Sequence, residues 1–456
     1  MPGSDFLQLD PAAAPAHGLA DWLTAALRAG VADGRLSVGT RLPATRGLAL
    51  QLGVSRGVVV QAYQRLTDEG LLAGQRGGGT TVVTAALPAP EPSAERRRTD
   101  VEINLSPGLP DLSAFPRQAW LRAERAALGA LAAADLGYGD PRGTPALRAA
   151  LAGWLTRTRG VRTTPDDIIV VNGVAQGLAL LVQVLRARGA STIGFEDPGS
   201  RGTRAQLRQW AVEPVPVPVD EHGLDVRALA ATGCGAVVVT PAHQFPTGVV
   251  LAADRRRELA DWARAGGLVV EDDYDAEHRY DRPPVAAVQA LAPEAVAHLG
   301  SVSKTLAPAL RLGWLLAPAA LRDELVERKR WSDITSPALG QLALAQMITS
   351  GAFDRHLRLV RGRQRQRRDA LLRALADHLP RARVQGIAAG LHLLATLPDL
   401  PDDRGIAAAA RHDGVAVHPL SWHRVGPGPA GLVIGYAATT PDRLREGVRR
   451  LGRLAA

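Results

Sequence analysis

From about residue 101 onward, short apolar runs typical of β-strands alternate with segments of helical periodicity. The runs include DIIVVNG, STIGFEDP, GAVVVTP, GLVVEDD and HLGSVSK, and GLALLVQVLRA, between the first two, has the pattern of a buried helix. Parallel strands need helix-length connections, so this alternation is typical of a mostly parallel sheet with helices on both faces. The sequence therefore predicts an α/β fold for this part of the chain.

A change of composition separates this α/β body from a small head. The segment LPAPEPSAERRR places prolines beside a basic run and has no apolar periodicity, as expected of an exposed, semi-stiff linker. A chain of 456 residues is long enough for two or three domains. We predict a head over residues 1–84, a linker over residues 85–100 and a body over residues 101–456.

Composition sets limits on location and partners. The chain is 46% hydrophobic and 22% charged, and it has no uninterrupted apolar run long enough to span a bilayer. The N-terminus lacks the basic and apolar regions of an export signal, and the single Cys234 cannot form an internal disulfide. These features predict a cytoplasmic protein without a membrane span. The net charge of +9 is compatible with a polyanionic partner, but alone it is weak evidence.

The head is predicted to contain three helices followed by a hairpin. The helical segments are LADWLTAALRAGVADG, RLPATRGLALQLGV, which ends at Gly53, and SRGVVVQAYQRLTDEG, which Ser55 caps. In the third helix, i, i+3, i+4, i+7 spacing places four residues in the core: Val59, Ala62, Tyr63 and Leu66. Four others face outward: Arg56, Val60, Gln61 and Gln64.

A short helix pair with a tight turn and an outward Arg56 and Gln61 is typical of a recognition helix for the DNA major groove. After it, LLAGQ and TTVV flank RGGG, which predicts a two-stranded wing with Arg76 and Gly78 at a tip that can approach phosphates. A generic three-helix adaptor shows similar patterns. These patterns therefore favour DNA binding only moderately.

The body contains a lysine where the chain otherwise uses arginine. Only Lys304 and Lys329 are lysine among the 54 basic residues, so 52 are arginine (54 − 2). Unlike arginine, lysine can lose its proton and attack a carbonyl carbon. Lys329, in the charged run ERKRW, is interpreted as having no special role. Lys304, in SVSKTLAPALRLGW, is the candidate for covalent chemistry.

Residues that could hold a phosphate flank Lys304. Ser301, Ser303 and Arg311 offer two hydroxyls and a guanidinium, which suit a phosphate group. The strand before Gly173 leads into a helix whose first N–H groups point toward an anion. Those predicted donors are the N–H groups of Val174, Ala175 and Gln176.

The acidic end of one strand suggests which cofactor the lysine could bind. An amine that forms an imine with pyridoxal phosphate also needs an acid facing the pyridine nitrogen and a donor near the phenolic oxygen. The strand GLVV runs into Glu271, Asp272 and Asp273, at the sheet edge where ligands of open α/β folds lie. A buried carboxylate there keeps a pyridine nitrogen protonated, and Tyr274 can hydrogen-bond the phenolic oxygen. A divalent-metal site and a solvated turn are the alternatives for this cluster. Lys304 and the two phosphate anchors favour the cofactor site.

Both parts of the chain resemble known families. The stretch from GRLSVGTRLPATR through LGVSR to GGGTTVV resembles the winged helix-turn-helix of GntR-type regulators. The body resembles fold-type I aminotransferases over residues 101–456. More specifically, the whole chain resembles the MocR branch of GntR-type regulators in its order of motifs: INLSPGLPDLSAFP, YGDPRGTPALRAAL, PAHQFPTG, EDDYDAEHRY and SVSKTLAPALRLGW.

The resemblance implies roles for individual residues. Lys304 would carry the imine with pyridoxal phosphate, Asp272 would meet the pyridine nitrogen, Tyr274 its O3′, and Arg311 with a nearby serine the phosphate. Tyr138 would reach the phosphate of a partner subunit in a domain-swapped homodimer. In the head, Arg46 and Arg56 would contact DNA, with the wing alongside.

Three positions depart from a working aminotransferase. Ser200 replaces a tyrosine that stacks on the cofactor, and Phe245 replaces an asparagine. Val433 stands where an arginine clamps the substrate carboxylate. Another residue would then bind the effector, with His392, His418, His423 and Arg424 as candidates, or the effector is no simple α-amino acid.

We therefore expect a pyridoxal-phosphate-dependent transcription regulator that binds a double-stranded DNA operator. Its body would sense pyridoxal phosphate or a small amino compound, with partial transamination as the most chemistry expected of it. Sensing pyridoxal phosphate itself needs no carboxylate clamp. The alternatives are an active aminotransferase with a vestigial head, and a regulator that has lost covalent use of the cofactor.

Overall fold

The computed structural model describes residues 9, 15, 17–75, 79–84, 101–281, 285–398 and 402–455. The chain divides into two compact units, residues 1–98 and residues 99–456. The predicted linker, residues 85–100, and the predicted wing-tip residues Arg76 and Gly78 lie outside the described residues.

The first unit is a winged helix-turn-helix. Its elements are α1 (Leu19–Ala32), β1 (Arg41–Leu42), α2 (Thr45–Leu52), α3 (Arg56–Asp68), β2 (Leu72–Gln75) and β3 (Gly79–Val82). The three strands form an antiparallel sheet in the order β1-β3-β2. Gly53 ends α2 in the left-handed conformation, with φ 65°, which glycine adopts without a steric penalty.

Helix α3 has the predicted inner and outer faces. Val59, Ala62, Tyr63 and Leu66 are buried, whereas Arg56, Val60, Gln61 and Gln64 are exposed. The predicted side-chain cap at Ser55 is wrong. Ser55 is the N-cap residue, but the N–H of Val58 donates to the Ser55 carbonyl oxygen at 3.1 Å, and the exposed hydroxyl makes no capping hydrogen bond.

The second unit begins with a three-layer α/β region. Its helices and strands, in chain order, are β4 (Ile103–Asn104), α4 (Arg117–Ala130), α5 (Pro145–Arg159), β5 (Ile168–Val171), α6 (Val174–Ala187), β6 (Thr192–Asp197), α7 (Arg201–Gln209), β7 (Glu213–Asp220), β8 (Gly223–Leu224), α8 (Val226–Ala231), β9 (Ala236–Val239), α9 (Ala253–Arg264), β10 (Leu268–Asp273), β11 (Val296–Ser301) and β12 (Gly313–Leu316).

The remaining elements form the C-terminal part of this unit. They are α10 (Ala319–Asp333), α11 (Ala338–Thr349), α12 (Ala352–His378), β13 (Arg383–Gln385), β14 (His392–Thr396), α13 (Asp403–His412), β15 (Val415–Ala416), β16 (His418–Pro419), β17 (Gly431–Gly435) and α14 (Pro441–Ala455). Strands β13, β14, β17 and β16 form a separate antiparallel sheet.

The large sheet has the order β5-β12-β11-β10-β9-β6-β7-β8. Pairing is parallel from β11 through β7, and β12 and the short edge strand β8 run antiparallel to their neighbours. Alternate residues of the strands enter two apolar cores: Ile168 and Val170 of β5 enter one, and Ile169 and Val171 the other. Helices therefore cover both faces, which confirms the predicted fold class.

The sequence analysis predicted a chain without a membrane span. Among the described residues, none of the helices combines the length and the apolar character that crossing a bilayer requires.

We predict that the first unit depends on the buried face of α3. Leu66 is fully buried, so Leu66→Ala should lower its free energy of unfolding by about 2–5 kcal/mol. Leu50→Ala is the matched control because Leu50 is 86% exposed. The measurement is urea unfolding of the full chain followed by circular dichroism. Equal effects of the two substitutions would contradict this packing.

Candidate functional site

A cavity of about 350 Å³ lies at the carboxyl ends of the parallel strands. Parallel strands end at one edge of the sheet, so residues distant in sequence meet there. The cavity is lined by Pro107, Gly108, Val174, Ala175, Leu178, Ser200, Thr203, Gln206, Thr240, Phe245, Asp272, Tyr274, Ser301, Ser303, Lys304 and Arg311. The structure thus brings together most of the residues that the sequence predicted for the cofactor site.

Lys304 follows β11 and projects its amine into this cavity. Its Nζ donates a hydrogen bond to the carbonyl oxygen of Gly108 at 2.6 Å. Burial lowers the pKa of Lys304, and the nearby carboxylates of Asp272 and Asp275 oppose that shift. A lowered pKa increases the fraction of neutral amine, which is the form that attacks a carbonyl carbon.

Three consecutive carboxylates at the end of β10 have different environments. Glu271 accepts hydrogen bonds from the N–H groups of Val288 and Gln289 at 2.9 and 3.0 Å. Asp273 forms a buried two-point ion pair with Arg159, at 2.7 and 2.9 Å. Glu271 and Asp273 lie on the same face of β10, and these partners use their carboxylate oxygens. The cluster therefore does not converge on a metal ion.

Asp272 lies on the opposite face and lines the cavity. Its Oδ1 is buried, and none of the described residues hydrogen-bonds to it. Burial, and next the charge of Asp273, raise the pKa of Asp272 to about 7, although Lys304 acts in the opposite direction. A buried acceptor without a partner is costly. A cationic N–H donor would satisfy it, so Asp272 fits a protonated pyridine nitrogen.

The phosphate anchors converge at the junction between β5 and α6. Gly173 has φ +85°, and a Cβ there would lie 2.9 Å from Nη2 of Arg311. Arg311 donates a hydrogen bond to the carbonyl oxygen of Asn172. A side chain at Gly173 would be strained by its backbone conformation and would meet Arg311, so only glycine fits at this junction, which we call the glycine cradle. The Arg311 guanidinium and the N-terminus of α6 both lie beside the cavity here.

One predicted phosphate donor is wrong. The N–H of Gln176 donates to the carbonyl oxygen of Gly173 at 3.1 Å, which closes the first turn of α6. Val174 and Ala175 are the first two residues of α6 and line the cavity. Their backbone N–H groups precede the first hydrogen-bonded turn of the helix and have no partner within it. Ser301 and Ser303 face the same cavity, and the Ser303 N–H donates to Ser301 Oγ at 3.3 Å.

Tyr274 is positioned by His243. The phenol donates to the His243 carbonyl oxygen at 3.0 Å, and its oxygen lies 3.2 Å from Nδ1 of His243. The same Nδ1 is 2.9 Å from Oδ2 of Asp275. Burial, reinforced by Asp275 and Asp272, raises the pKa of Tyr274 well above its usual value. Tyr274 therefore stays a neutral phenol in the cavity.

The sequence analysis missed two contributors to this site. Gly108, with φ +80°, supplies the carbonyl that holds Lys304, although its motif had been noted without a role. Thr240 lines the cavity just after β9, and its N–H and hydroxyl donate to the buried Glu196. In the sequence, Thr240 could be recognised only by its place after a strand, and Gly108 only by its place in a glycine-containing turn. Many residues share such places, so these features do not single out either one.

The three departures from an aminotransferase have structural counterparts. Ser200 caps α7, where its Oγ accepts from the Thr203 N–H at 3.2 Å. Val433 is fully buried in an apolar cluster with Leu394 and Leu420, against which Phe245 packs. The place of a carboxylate-binding guanidinium is thus filled by hydrocarbon.

Of the alternative effector-binding residues, His392 and His423 are buried, and His418 and Arg424 are half-buried. The ring of His392 meets that of Phe245 edge-on at a centroid separation of 4.9 Å, and burial lowers the pKa of His392 well below the usual value. Burial likewise lowers the pKa of His423 to about 3, and His418 lies 3.3 Å from it. Arg424 binds the carbonyl oxygens of Gly428 and Pro429. These imidazoles are neutral at pH 7, so they form no cationic clamp.

Tyr138 and Lys329 lie in surroundings that the sequence did not predict. Tyr138 does not line the cavity and is 85% exposed, beside a separate groove that also contains Leu136 and Leu339. Lys329, in the charged run ERKRW, was interpreted as having no special role, and the structure places it in the interior. Its side chain is fully buried and pairs with Asp333 at 2.8 Å, because one face of α10 packs inward.

We predict that Asp272 makes stability depend on pH in the cofactor-free protein. Its raised pKa means that the folded state binds a proton more tightly than the unfolded state, so stability is lost as pH rises from about 4 to about 7. Asp272→Asn should remove this loss and stabilise the protein by up to about 4 kcal/mol at pH 8, with little effect at pH 4.

Urea unfolding at several pH values measures this effect. Asp261→Asn, at an exposed position of α9, is the control for the loss of one carboxylate. Stability curves of Asp272→Asn and the unsubstituted protein that run parallel across this pH range would contradict the assignment.

Comparisons with known proteins agree with this architecture. The family described as "Bacterial regulatory proteins, gntR family" matches residues 19–82, and "Aminotransferase class I and II" matches residues 101–451. A solved structure of kynurenine aminotransferase from Pyrococcus horikoshii superposes with a TM-score of 0.72 at 26% identity, covering 78% of this chain and 91% of that one.

Full-length relatives share both parts. The chain is 36% identical to the HTH-type pyridoxine biosynthesis transcriptional regulator PdxR of Corynebacterium glutamicum, over 93% of each protein. It is 33% identical to the probable rhizopine catabolism regulatory protein MocR of Rhizobium meliloti, over 93% of this chain and 91% of that protein. The chain belongs to the MocR-type branch of the GntR family of transcription regulators, in which a DNA-binding winged helix-turn-helix is joined to an aminotransferase-like domain.

Proposed function

We propose that this regulator binds pyridoxal phosphate covalently at Lys304 and that cofactor occupancy changes its binding to operator DNA. The observation that carries the proposal is the pair formed by Lys304 and Asp272 in one cavity. One offers an amine of lowered pKa, and the other a buried carboxylate oxygen that lacks a partner. The glycine cradle at Gly173 supports a phosphate at the opposite wall.

Each residue has a defined task in this proposal. Pyridoxal phosphate, when bound, supplies an aldehyde for amine chemistry and a ring that accepts electrons. Lys304 provides the attacking amine, and Asp272 keeps the pyridine nitrogen protonated. Tyr274 stays protonated and can hydrogen-bond the phenolic oxygen, while Arg311, Ser301, Ser303 and the start of α6 neutralise the phosphate.

We propose pyridoxal phosphate itself as the effector, with a small amino compound as the second candidate. The apolar cluster around Val433 offers no charge for a substrate carboxylate, and the neighbouring imidazoles are neutral. A regulator that senses the cofactor needs no such clamp. The name of the Corynebacterium relative, a pyridoxine biosynthesis regulator, agrees with this choice.

We further propose that the working form is a domain-swapped homodimer in the cytoplasm. Tyr138 lies outside the cavity of its own chain and is exposed on an apolar groove, so a second copy could receive it. Cofactor binding must stabilise one arrangement of the two heads more than another if it is to affect DNA.

An aminotransferase with a vestigial head is the second candidate function. The observation that favours it is that most of the predicted cofactor-binding residues line one cavity. Partial transamination, in which an amine reacts once without steady turnover, is compatible with both candidates. The buried Val433 disfavours turnover of α-amino acids.

We predict that Lys304→Ala abolishes the visible absorption band that pyridoxal phosphate acquires on binding. Among the described residues that line the cavity, the substitution removes the only amine. The same variant should lose the effect of pyridoxal phosphate on DNA affinity. Lys304→Arg is the control, because it keeps the charge but cannot form the covalent bond. Spectra that do not differ between the variants and the unsubstituted protein would exclude Lys304 as the attachment site.

We predict that Arg56 contributes to DNA binding from the exposed face of α3, together with Arg46, Ser55 and Gln61, and with Arg76 and Gly78 of the wing. Arg56→Ala should lower DNA affinity about tenfold or more, as expected for loss of a base or phosphate contact. Arg28→Ala changes the charge equally, but Arg28 pairs with Glu69 at the other end of α3.

The measurement is fluorescence anisotropy with a duplex selected from random sequences by the unsubstituted protein. The Arg28→Ala control should bind that duplex within about twofold of it. Equal losses for both variants would show that only net charge matters and would refute a specific role of Arg56.

A further inference from the structure

The second lysine of the chain lies in the interior of the aminotransferase-like domain. Lys329 is on α10, and its side chain is fully buried. An ammonium group in such a place costs several kcal/mol unless its charge and its three N–H donors all find partners. A lysine at such a place therefore depends on its partners, and removal of one member of a buried ion pair leaves the other charge uncompensated.

All three donors of Lys329 are used. Its Nζ donates to Oδ1 and Oδ2 of Asp333 at 2.8 and 2.9 Å, and to Oγ of Ser336 at 2.9 Å. Asp333 is one turn further along α10, and Ser336 follows the end of that helix. The lysine thus holds the carboxylate of Asp333 in one orientation.

Asp333 in turn holds the junction between β5 and α6. Its Oδ2 accepts from Nδ2 of Asn172 at 3.0 Å and from Nε2 of Gln176 at 2.9 Å. Gln176 closes the arrangement, because its Oε1 accepts from the Asn172 N–H at 2.7 Å. Asn172, just before Gly173, and Gln176, in the first turn of α6, are therefore both hydrogen-bonded to the Asp333 carboxylate.

Arg311 fixes the same junction from the cavity side. It binds the Asn172 carbonyl oxygen and packs against the Cα of Gly173. The start of α6, which would receive the phosphate, is thus held between Arg311 and Asp333. A carboxylate at this place is useful as an acceptor, but its negative charge opposes an anion nearby.

We propose that Lys329 is a positioning residue for the phosphate group of the ligand, in that it neutralises Asp333 while Asp333 orients the 172–176 junction. This inference rests on the proposed binding of pyridoxal phosphate. Without Lys329, Asp333 either keeps its charge and repels the phosphate, or takes up a proton and loses acceptor capacity for Asn172 and Gln176. Both outcomes weaken binding of the phosphate but not of the pyridine ring.

The test compares pyridoxal phosphate with pyridoxal, which lacks the phosphate. Lys329→Met should lower affinity for pyridoxal phosphate about tenfold or more and change affinity for pyridoxal less than about twofold. Affinities come from titration of the visible absorption band of the full-length protein. Arg330→Met is the matched control, because Arg330 is the next residue and more than half of its side chain is exposed.

A second pair of variants separates charge from folding. Lys329→Met/Asp333→Asn removes both charges and should recover part of the affinity for pyridoxal phosphate that the single variant loses. Recovery should be incomplete, because asparagine has one acceptor oxygen in place of the two of Asp333. Gln176→Ala removes one tie to Asp333 without leaving a buried charge, so it remains informative if Lys329→Met does not fold. It should lower affinity for pyridoxal phosphate about threefold or more, again without affecting pyridoxal.

The outcomes are distinct. Equal losses for both ligands, no loss in either single variant, or a double variant as weak as Lys329→Met would each overturn the role of Lys329. An unsubstituted protein that shows no visible band with either ligand would instead refute the proposed function. A band in the unsubstituted protein with a phosphate-specific loss in the variants supports both.

Discussion

The parallel pairing of β9, β10 and β11 is the constraint on which the rest of the site depends. Because these strands run the same way, their carboxyl ends reach one edge of the sheet, where Thr240, Asp272 and the segment leading to Lys304 meet. The antiparallel β12 lies between β11 and β5 and makes β5 parallel to the rest. That inserted strand brings the β5–α6 junction to the same edge.

Buried ion pairs occur near this edge. Asp273 pairs with Arg159, and Asp333 pairs with Lys329. Pairing offsets the cost of burial and orients each group. Asp272 lines the cavity instead, and its Oδ1 has no hydrogen-bond partner among the described residues. The unpaired carboxylate is the position at which a bound cation would relieve the cost.

One departure from an aminotransferase, Val433 in place of an arginine, removes a charge, and its surroundings are apolar. Val433 and Phe245 pack with Leu394 and Leu420, and burial keeps His392 neutral. Charged donors remain where a phosphate would lie, at Arg311 and the start of α6. In the proposed function, this arrangement suits a phosphorylated ligand better than an α-amino acid held by its carboxylate.

Local pattern determined much of this protein. Period-2 and period-3.6 spacing identified the α/β body and the inner face of α3, and the choice of lysine at position 304 among so many arginines identified the candidate for covalent chemistry. Motifs of neighbouring residues, such as Ser301, Ser303 and Lys304, were readable because their spacing along the chain sets their spacing in space. The tertiary structure decided the rest: that Gln176 uses its N–H inside α6, that the Ser55 hydroxyl makes no cap, and that Lys329 is buried. Asp333 and Asn172 are 161 residues apart, and no local spacing rule links two residues that meet only when α10 packs beside α6.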